Sequence, residues 1–282
     1  MQSENILVLG GTGKTGRHVV EKLKALNHNV RIGSRTSEPS FDWSKPENWS
    51  AAINGMSRIY ITYQPDLAVP GAIRAIEQLI IVAKQANIQK LVLLSGKGER
   101  EAELCEQVII RSGINYTIIR ASWFNQNFSE SFLTEPIQRG MLALPQSHVK
   151  IPFVDTRDIA EVAVKVLTDD VYNGQIYQLT GPEALTFKEA LEIIAKASGR
   201  SVSFIPVSMQ DYVQGMHDAE VPDDFIWLIG YLFTEVLGNP ENSEITQDIQ
   251  RVLNRKPTTF AEYASVTAES GIWNPTSKLN IR

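Results

Sequence analysis

The segment Ile6-Leu7-Val8-Leu9-Gly10-Gly11-Thr12-Gly13-Lys14-Thr15-Gly16 decides the fold. Its four apolar residues are typical of a strand that is buried on both faces of a parallel sheet. Apolar residues at helical spacing follow over residues 14–26, so the glycines stand between a strand and a helix. Glycines there allow a tight turn, and the N–H groups of the first helical turn can receive a pyrophosphate. This context predicts a dinucleotide-binding turn with the following cofactor-binding residues: Gly10, Gly11, Thr12, Gly13, Lys14, Thr15 and Gly16.

Two other interpretations of this turn are possible. The glycines could serve backbone conformation alone, as in any tight connection between a strand and a helix. A mononucleotide P-loop is disfavoured: Gly-Lys-Thr is present at residues 13–15, but Gly10 and Gly13 are too close for the four-residue gap that this loop requires. The strand before the turn and the helix after it favour dinucleotide binding.

Apolar runs and amphipathic stretches alternate along the first half of the chain. Strand-like runs at residues 6–9, 30–33, 58–62, 90–94 and 116–119 are separated by helical patterns. This alternation predicts a doubly wound parallel Rossmann sheet, and the later part of the chain predicts a small, mainly helical C-terminal lobe on the substrate side. We expect an NADP-binding domain at residues 1–155, with a strand contributed from about 175–180, and the lobe mainly at 156–282.

Composition excludes several classes of protein. The chain has 282 residues, a net charge of −5 and one cysteine, so neither a disulfide framework nor a thiolate-rich metal site is expected. The four histidines show no metal-ligand spacing. Mild acidity argues against a nucleic-acid partner, and the absence of long apolar runs argues against a membrane partner. We expect a cytoplasmic protein that acts on a small molecule; its oligomeric state stays open.

The residues that follow the second strand indicate which cofactor is bound. An NAD site commonly places Asp or Glu here to bind the ribose 2′-hydroxyl, whereas this chain has Arg31-Ile32-Gly33-Ser34-Arg35. Arg35 and Ser34 could hold a 2′-phosphate through charge-assisted hydrogen bonds, with Lys14 as a second cation. The alternative for each is a solvated surface side chain. The missing acid favours NADP(H) over NAD(H).

Further segments match a known family pattern. They are residues 10–15, 32–35, 41–43, 92–95, 120–130, 151–154, 158–160, 179–183 and 255–257, and the most specific piece is Ser122-Trp123-Phe124-Asn125-Gln126-Asn127-Phe128-Ser129. With these segments the chain resembles the NmrA-like group of atypical short-chain dehydrogenases/reductases. Within that group it is similar to the ergot-alkaloid dehydrogenases that make festuclavine and agroclavine. The resemblance covers nearly the whole chain.

The resemblance implies roles for individual residues. Asp42 would lie beside the adenine, Thr62 and Tyr63 would flank the cofactor ribose, and the group near the nicotinamide ribose would be Ser95, Gly96 and Lys97. The substrate-binding residues that it implies are Tyr63, Trp123, Phe124 and Asn125. Core packing is the alternative for the aromatic residues among them. Their places after strands favour a site, because ligands of open α/β sheets gather at the carboxyl ends of strands.

The proton donor of the usual short-chain dehydrogenase is missing. That enzyme uses a Tyr-x-x-x-Lys helix, but none of the eight tyrosines here has a lysine four residues later, and the expected positions hold Gly98 and Ala102. One explanation is an NADP(H)-dependent oxidoreductase whose iminium- or quinone-like acceptor needs little help from an enzymic acid. Another is an NADP-sensing regulator that binds a protein partner without turnover. A sugar-nucleotide epimerase is disfavoured, because it needs the missing pair.

Two further features of the predicted helix at residues 102–111 receive ordinary structural interpretations. Cys105 has apolar neighbours, which favours packing over a nucleophilic role. The acidic residues around it predict a solvated helix face without a carboxylate pair: Glu99, Glu101, Glu103 and Glu106.

Overall fold

A computed structural model describes residues 3–275. Its strands are β1 (Asn5–Leu9), β2 (Asn29–Gly33), β3 (Arg58–Ile61), β4 (Lys90–Gly96), β5 (Asn115–Ala121), β6 (Met141–Leu144), β7 (Gln175–Leu179) and β8 (Ser203–Pro206). Six of them form a parallel sheet in the order β2-β1-β3-β4-β5-β7. The chain reverses its direction across the sheet after β2, as in a doubly wound fold. The predicted Rossmann sheet is confirmed.

Helices connect the strands, as parallel pairing requires. They are α1 (Gly16–Ala25), α2 (Trp49–Ile53), α3 (Ala72–Gln85), α4 (Arg100–Ile110), α5 (Thr134–Gln138), α6 (Thr156–Thr168), α7 (Phe187–Ser198), α8 (Met209–Asp218), α9 (Asp223–Tyr231), α10 (Asp248–Leu253) and α11 (Phe260–Glu269). Within residues 3–275, none of these helices has the length and apolar character that a membrane crossing requires.

The chain divides into two compact units. Among the described residues, the first contains 3–121, Thr156–Leu179 and Gln247–Lys256, and the second contains Ser122–Asp155, Thr180–Thr246 and 257–275. This division differs from the expected one, because residues 122–155 belong to the second unit, and α6 and α10 belong with the sheet. Residues 1–2 and 276–282 of the expected domains lie outside the described residues.

Polar contacts explain why late segments belong to the first unit. On α6, the Asp158 and Glu161 carboxylates each accept a hydrogen bond of 2.7 Å from Arg255 Nη2. On α10, Asp248 Oδ2 accepts a 2.7 Å bond from the backbone N–H of Gln178 in β7. Arg255 lies in one of the segments that match the family pattern. Its hydrogen bonds join the late segment Gln247–Lys256 to α6.

The second unit has an aromatic core and a small sheet of its own. Strands β6 and β8 pair in parallel, which the sequence did not predict for this lobe. Each strand has four residues, too few for a clear alternating pattern. The buried aromatic residues of this core are Phe128, Phe153, Phe187, Phe233, Phe260, Tyr263 and Trp273.

Candidate functional site

The glycine turn between β1 and α1 is closely packed. Gly10 has a φ of +67°, and its carbonyl accepts a 2.8 Å hydrogen bond from the N–H of Gly13. A Cβ on Gly16 would lie 2.2 Å from the same carbonyl oxygen, and one on Gly10 would lie 2.1 Å from Thr62 Oγ1. Both positions therefore require glycine. Packing alone thus leaves this backbone without side chains, which is also what close approach of a phosphate requires.

Residues that follow β3 border this turn. Thr62 Oγ1 donates a hydrogen bond of 3.0 Å to the carbonyl oxygen of Leu9, directly before Gly10. The Thr62 carbonyl accepts a bond of 3.1 Å from the indole N–H of Trp43, whose ring centroid lies 4.8 Å from that of Tyr63. Trp43 and Tyr63 are both partly buried against the core. The structure thus brings Thr62 and Tyr63 together with the glycine turn.

The predicted phosphate-binding residues follow β2, which pairs with β1. A hydrogen bond of 2.8 Å from the Gly10 N–H to the Gly33 carbonyl joins the ends of these strands. Ser34 is partly buried and Arg35 is exposed. The Ser34 backbone belongs to a turn in which its N–H donates to Ser37 Oγ at 3.0 Å. An exposed guanidinium two residues after β2 is available to an anionic ligand from solvent.

Asp42 makes local bonds. Its carboxylate accepts hydrogen bonds from the backbone N–H and the hydroxyl of Ser44, at 2.9 and 2.8 Å. These bonds hold its pKa below the ordinary value, and the charge of Arg35 adds to the effect. Asp42 is therefore a fixed anion, and a role beside adenine stays a prediction.

Ser95 and Glu106 form a buried polar group with Arg120. Ser95 Oγ donates to Glu106 Oε1 at 2.6 Å. Arg120 donates to both carboxylate oxygens, at 3.0 Å from Nε to each and 2.6 Å from Nη2 to Oε2. Glu106 is fully buried, so the expectation that it lies on a solvated helix face is wrong. The positive charge of Arg120, on β5, compensates the Glu106 carboxylate and so permits its burial. Helical periodicity alone does not reveal such a partner.

Glu99 is likewise buried and pairs with a second carboxyl group. Its carboxyl donates a hydrogen bond to Asp66, which also accepts 2.8 Å from the Ala68 N–H. Burial, followed by the Asp66 charge, raises the pKa of Glu99 well above its usual range, and burial raises the pKa of Asp66. The expected absence of a carboxylate pair is also wrong. Burial and the neighbouring charge therefore favour the protonated form of Glu99 in this pair.

Gly96 and Lys97 lie next to this pair at the end of β4. A Cβ on Gly96 would lie 1.9 Å from Glu99 Oε1. The Lys97 N–H donates 2.9 Å to the Ala121 carbonyl at the end of β5, and its side chain is buried. Ser95, Gly96 and Lys97 therefore lie at the carboxyl edge of the sheet, as predicted, although the hydroxyl of Ser95 is bonded internally.

Cys105 lies on α4 with its thiol buried. Sγ contacts the Leu67 carbonyl oxygen at 3.9 Å, and burial raises the pKa of the thiol to about 11. The thiol form is therefore favoured, which fits packing better than nucleophilic chemistry. Within residues 3–275, no group of three or more His, Cys, Asp or Glu side chains converges to hold a metal ion.

The segment after β5 belongs to the second unit. The indole ring of Trp123 packs against Phe187 and Phe233, with centroids 5.9 and 5.3 Å apart. The backbone carbonyl of Trp123 accepts a hydrogen bond of 2.8 Å from the Val154 N–H, and the Asn125 N–H donates one of 2.9 Å to the Val154 carbonyl. Trp123 and Phe124 are half-buried, and Asn125 is fully buried. Their predicted contacts with substrate stay predictions.

A comparison with known families decides the assignment. The model of the NmrA-like family matches residues 41–264. The chain belongs to the NmrA-like family. The family resemblance inferred from sequence is therefore confirmed, and agroclavine dehydrogenase of Claviceps fusiformis, 25% identical, is among the relatives.

Curated NmrA-like relatives match over nearly their whole length. Prestalk A differentiation protein A of Dictyostelium discoideum is 28% identical, covering 97% of this chain and 96% of the relative. The uncharacterized oxidoreductase YesF of Bacillus subtilis is 30% identical, covering 95% and 96%. The NAD(P)H azoreductase of Xenophilus azovorans is 27% identical, covering 93% and 98%.

Solved structures share the NmrA-like fold. A nucleoside-diphosphate-sugar epimerase of Staphylococcus aureus superimposes with a TM-score of 0.79 at 20% identity, covering 93% of this chain and 99% of that one. Triphenylmethane reductase of Citrobacter sp., complexed with NADP(H), gives 0.74 at 21% identity, covering 94% and 99%. These similarities establish the architecture.

Proposed function

We propose that the protein is an NADP(H)-dependent oxidoreductase that transfers a hydride to a hydrophobic or cationic small molecule, iminium- or quinone-like, without a Tyr/Lys pair. The observation that carries this proposal is the glycine turn at Gly10, with Arg35 exposed after the neighbouring strand.

The turn fits a pyrophosphate. Side chains are excluded at Gly10 and Gly16, so a ligand can approach the backbone closely. The turn leads directly into α1, whose dipole favours negative charge at its amino end, although the N–H groups of Arg17 and His18 already donate to the carbonyls of Gly13 and Thr15. Gly11, Thr12, Gly13 and Thr15 complete the proposed cradle, and Thr62 would flank the cofactor ribose.

Charge supports the choice of NADP(H). Arg35 with Ser34 offers donors for a 2′-phosphate, Lys14 adds a cation, and an acid for the ribose hydroxyl is missing from residues 31–35. The names of the NAD(P)H azoreductase and of the NADP(H)-complexed triphenylmethane reductase are consistent with this choice.

The proposed substrate side is aromatic. Tyr63 and Trp123 offer apolar faces with a polar edge, and Phe124 offers an apolar face; such rings suit a flat or cationic acceptor. A bound NADPH would supply the hydride. A cationic acceptor would be neutralised by that hydride and would need no proton, whereas a quinone would become a hydroquinone anion that takes its proton from solvent. The work of these residues would be to orient the acceptor. This explains how a chain without the Tyr/Lys pair can support reduction.

The test is a titration followed by an assay of turnover. Fluorescence titration with NADPH and NADH should show binding with a preference for NADPH. NADPH oxidation is then followed at its absorbance maximum with a triphenylmethane dye cation, a cyclic iminium and a quinone. Oxidation with at least one acceptor supports the proposal, and failure to bind either cofactor removes it. Tight cofactor binding without turnover of any acceptor would favour the NADP-sensing regulator.

A further inference from the structure

Tyr212, on α8, has a hydroxyl group that bonds to no other group within residues 3–275. The two fully buried tyrosines differ from it: Tyr60 donates 3.2 Å to Thr15 Oγ1, and Tyr263 donates 2.8 Å to Ser129 Oγ. Tyr212 is only half-buried. Its hydroxyl is therefore a donor that the fold does not need and that a ligand can approach from solvent.

The ring of Tyr212 belongs to an aromatic cluster of the second unit, the Phe233 cluster, which consists of Trp123, Phe187, Tyr212 and Phe233. The ring centroid of Phe233 lies 5.3 Å from that of Trp123, 5.8 Å from that of Tyr212 and 5.9 Å from that of Phe187. Phe187 and Phe233 are fully buried, whereas Trp123 and Tyr212 are half-buried. The two half-buried rings are thus the members of this cluster that a ligand can contact.

Phe233 lies on an uncommon form of backbone. Leu232–Val236 is a π-helical turn that directly follows α9, and the Leu237 N–H donates 2.9 Å to the Leu232 carbonyl across it. Such turns are rare, and they occur frequently at functional sites. The backbone at the centre of the Phe233 cluster therefore points independently to a functional role.

Helix α8 presents Tyr212 between two methionines. Met209, Tyr212 and Met216 pack against the core of the second unit, and their spacing of three and four residues places them on one helix face. No residue of α8 is fully buried. Methionine side chains are flexible and polarizable, so they adapt to different outlines and make favourable contacts with aromatic rings. The phenol hydroxyl thus stands in an apolar and adaptable setting.

The Tyr212 hydroxyl is suited to a neutral oxygen acceptor. Burial raises its pKa to about 12, so the phenol keeps its proton, and no charged group of residues 3–275 contributes to that shift. A carboxylate that could pair with a cationic ligand is therefore missing from this position within the described residues. A carbonyl oxygen accepts a hydrogen bond from a phenol without any such charge.

We propose that Tyr212 donates a hydrogen bond to a carbonyl oxygen of an acceptor whose ring lies against Trp123, and that this bond makes a quinone the preferred class of acceptor. The inference rests on the proposed function, which supplies a flat acceptor beside Trp123. It concerns binding within the second unit: the hydroxyl keeps its proton, and no covalent bond of the phenol breaks.

The experiment compares two ligands of the same outline and charge. Anthraquinone-2-sulfonate carries two carbonyl oxygens, and anthracene-2-sulfonate carries none. Isothermal titration is made without cofactor and with saturating NADP⁺, which has no hydride to transfer. The unmodified protein should bind the anthraquinone about three- to tenfold more tightly, as expected for one neutral hydrogen bond. In Tyr212→Phe, this preference should vanish through weaker binding of the anthraquinone, and the affinity for the anthracene should stay the same.

Tyr263→Phe is the matched control. It removes a hydroxyl of the same unit that donates to Ser129, so it should lower the thermal midpoint and keep the preference for the anthraquinone. Tyr212→Phe loses no internal hydrogen bond, and its thermal midpoint should equal that of the unmodified protein.

Three outcomes would overturn the inference: a preference that Tyr212→Phe retains, equal losses for the two ligands in that variant, or an unmodified protein that shows no preference in either condition. The NADPH titration tests the proposed function separately. A protein that binds NADPH but does not distinguish the two ligands contradicts this inference alone, whereas a protein that binds neither NADPH nor NADH contradicts the proposed function.

Discussion

The carboxyl group of Glu99 occupies the space that a side chain on Gly96 would fill. An added Cβ would lie 1.9 Å from Oε1 and 2.0 Å from Cδ of Glu99. The end of β4 is thus shaped around a buried carboxyl group, which in turn donates a hydrogen bond to Asp66. Glycine at residue 96 and the protonation of residue 99 are therefore parts of one arrangement.

Glu99→Gln should make the stability of the protein less dependent on pH. The pKa of Glu99 is raised in the folded state, so its proton stabilises the fold below the unfolded value of 4.5, and this contribution is lost as pH rises toward the folded pKa. Glutamine keeps the hydrogen bond to Asp66 without the charge. Urea unfolding at pH 4 and pH 7 should show that Glu99→Gln is more stable than the unmodified protein at pH 7 but not at pH 4.

Glu77→Gln is the control for this pH dependence. Glu77 is an exposed carboxylate on α3, and its removal should leave the difference between pH 4 and pH 7 as it is in the unmodified protein. The interpretation of Glu99 as a buried acid is wrong if Glu99→Gln and Glu77→Gln show the same pH profile.

Glu106→Ala should strongly destabilise the fold. It would leave the Arg120 guanidinium, whose side chain is 18% exposed, without its principal anion, and Ser95 without an acceptor. Breaking such a buried pair costs about 3–5 kcal/mol. Glu103→Ala removes the other Arg120 partner, which is 45% exposed, and should cost at most about 1 kcal/mol. Equal free energies of unfolding for the two variants would contradict this difference.

These two glutamates show where sequence reasoning failed. Glu99 and Glu106 lie within an acidic stretch that predicts a solvated face, and their partners Asp66 and Arg120 are 33 and 14 residues away. Burial of a charge depends on such distant partners, which helical periodicity cannot reveal. The available signal would have been the pairing of one basic residue on a strand with one acid on the preceding helix.

The fold itself could be predicted because its signals are local. The apolar run of β1, the glycines after it and the helical spacing of α1 lie within a single stretch of chain. Assignment of residues 122–155 to the second unit depends instead on contacts among distant segments, such as the bond between Ser129 and Tyr263. The buried amide of Asn125 is equally invisible in sequence, since its lack of a hydrogen-bond partner within residues 3–275 depends on its folded surroundings.

Gly10→Ala should destabilise the glycine turn by a mechanism that involves Thr62. The left-handed φ of +67° costs a non-glycine residue about 1–3 kcal/mol, and the added methyl group meets Thr62 Oγ1. In a double-mutant cycle, Thr62→Ala should offset part of this cost, so the combined loss in free energy of unfolding should be smaller than the sum. Additive losses would show that the contact is unimportant.

Gly16→Ala is the comparison for that cycle. The atom that its Cβ would meet, at 2.2 Å, is the carbonyl oxygen of Gly10, so removal of the Thr62 hydroxyl cannot relieve the clash. The losses from Gly16→Ala and Thr62→Ala should therefore be additive. The same unfolding titrations, made with the single and double variants, measure both cycles.

Arg35→Ala should separate the two cofactors. If its guanidinium holds the 2′-phosphate, NADPH affinity should fall about ten- to hundredfold, as expected for hydrogen bonds to a charged group, whereas NADH lacks that phosphate and should bind unchanged. Raised salt should reduce the NADPH preference of the unmodified protein, because the guanidinium is exposed and its charge is screened. Arg74→Ala, which removes an exposed arginine on α3, should change neither affinity. Equal losses for NADPH and NADH in Arg35→Ala would place the guanidinium elsewhere on the cofactor and leave the preference for NADPH to Lys14 and Ser34.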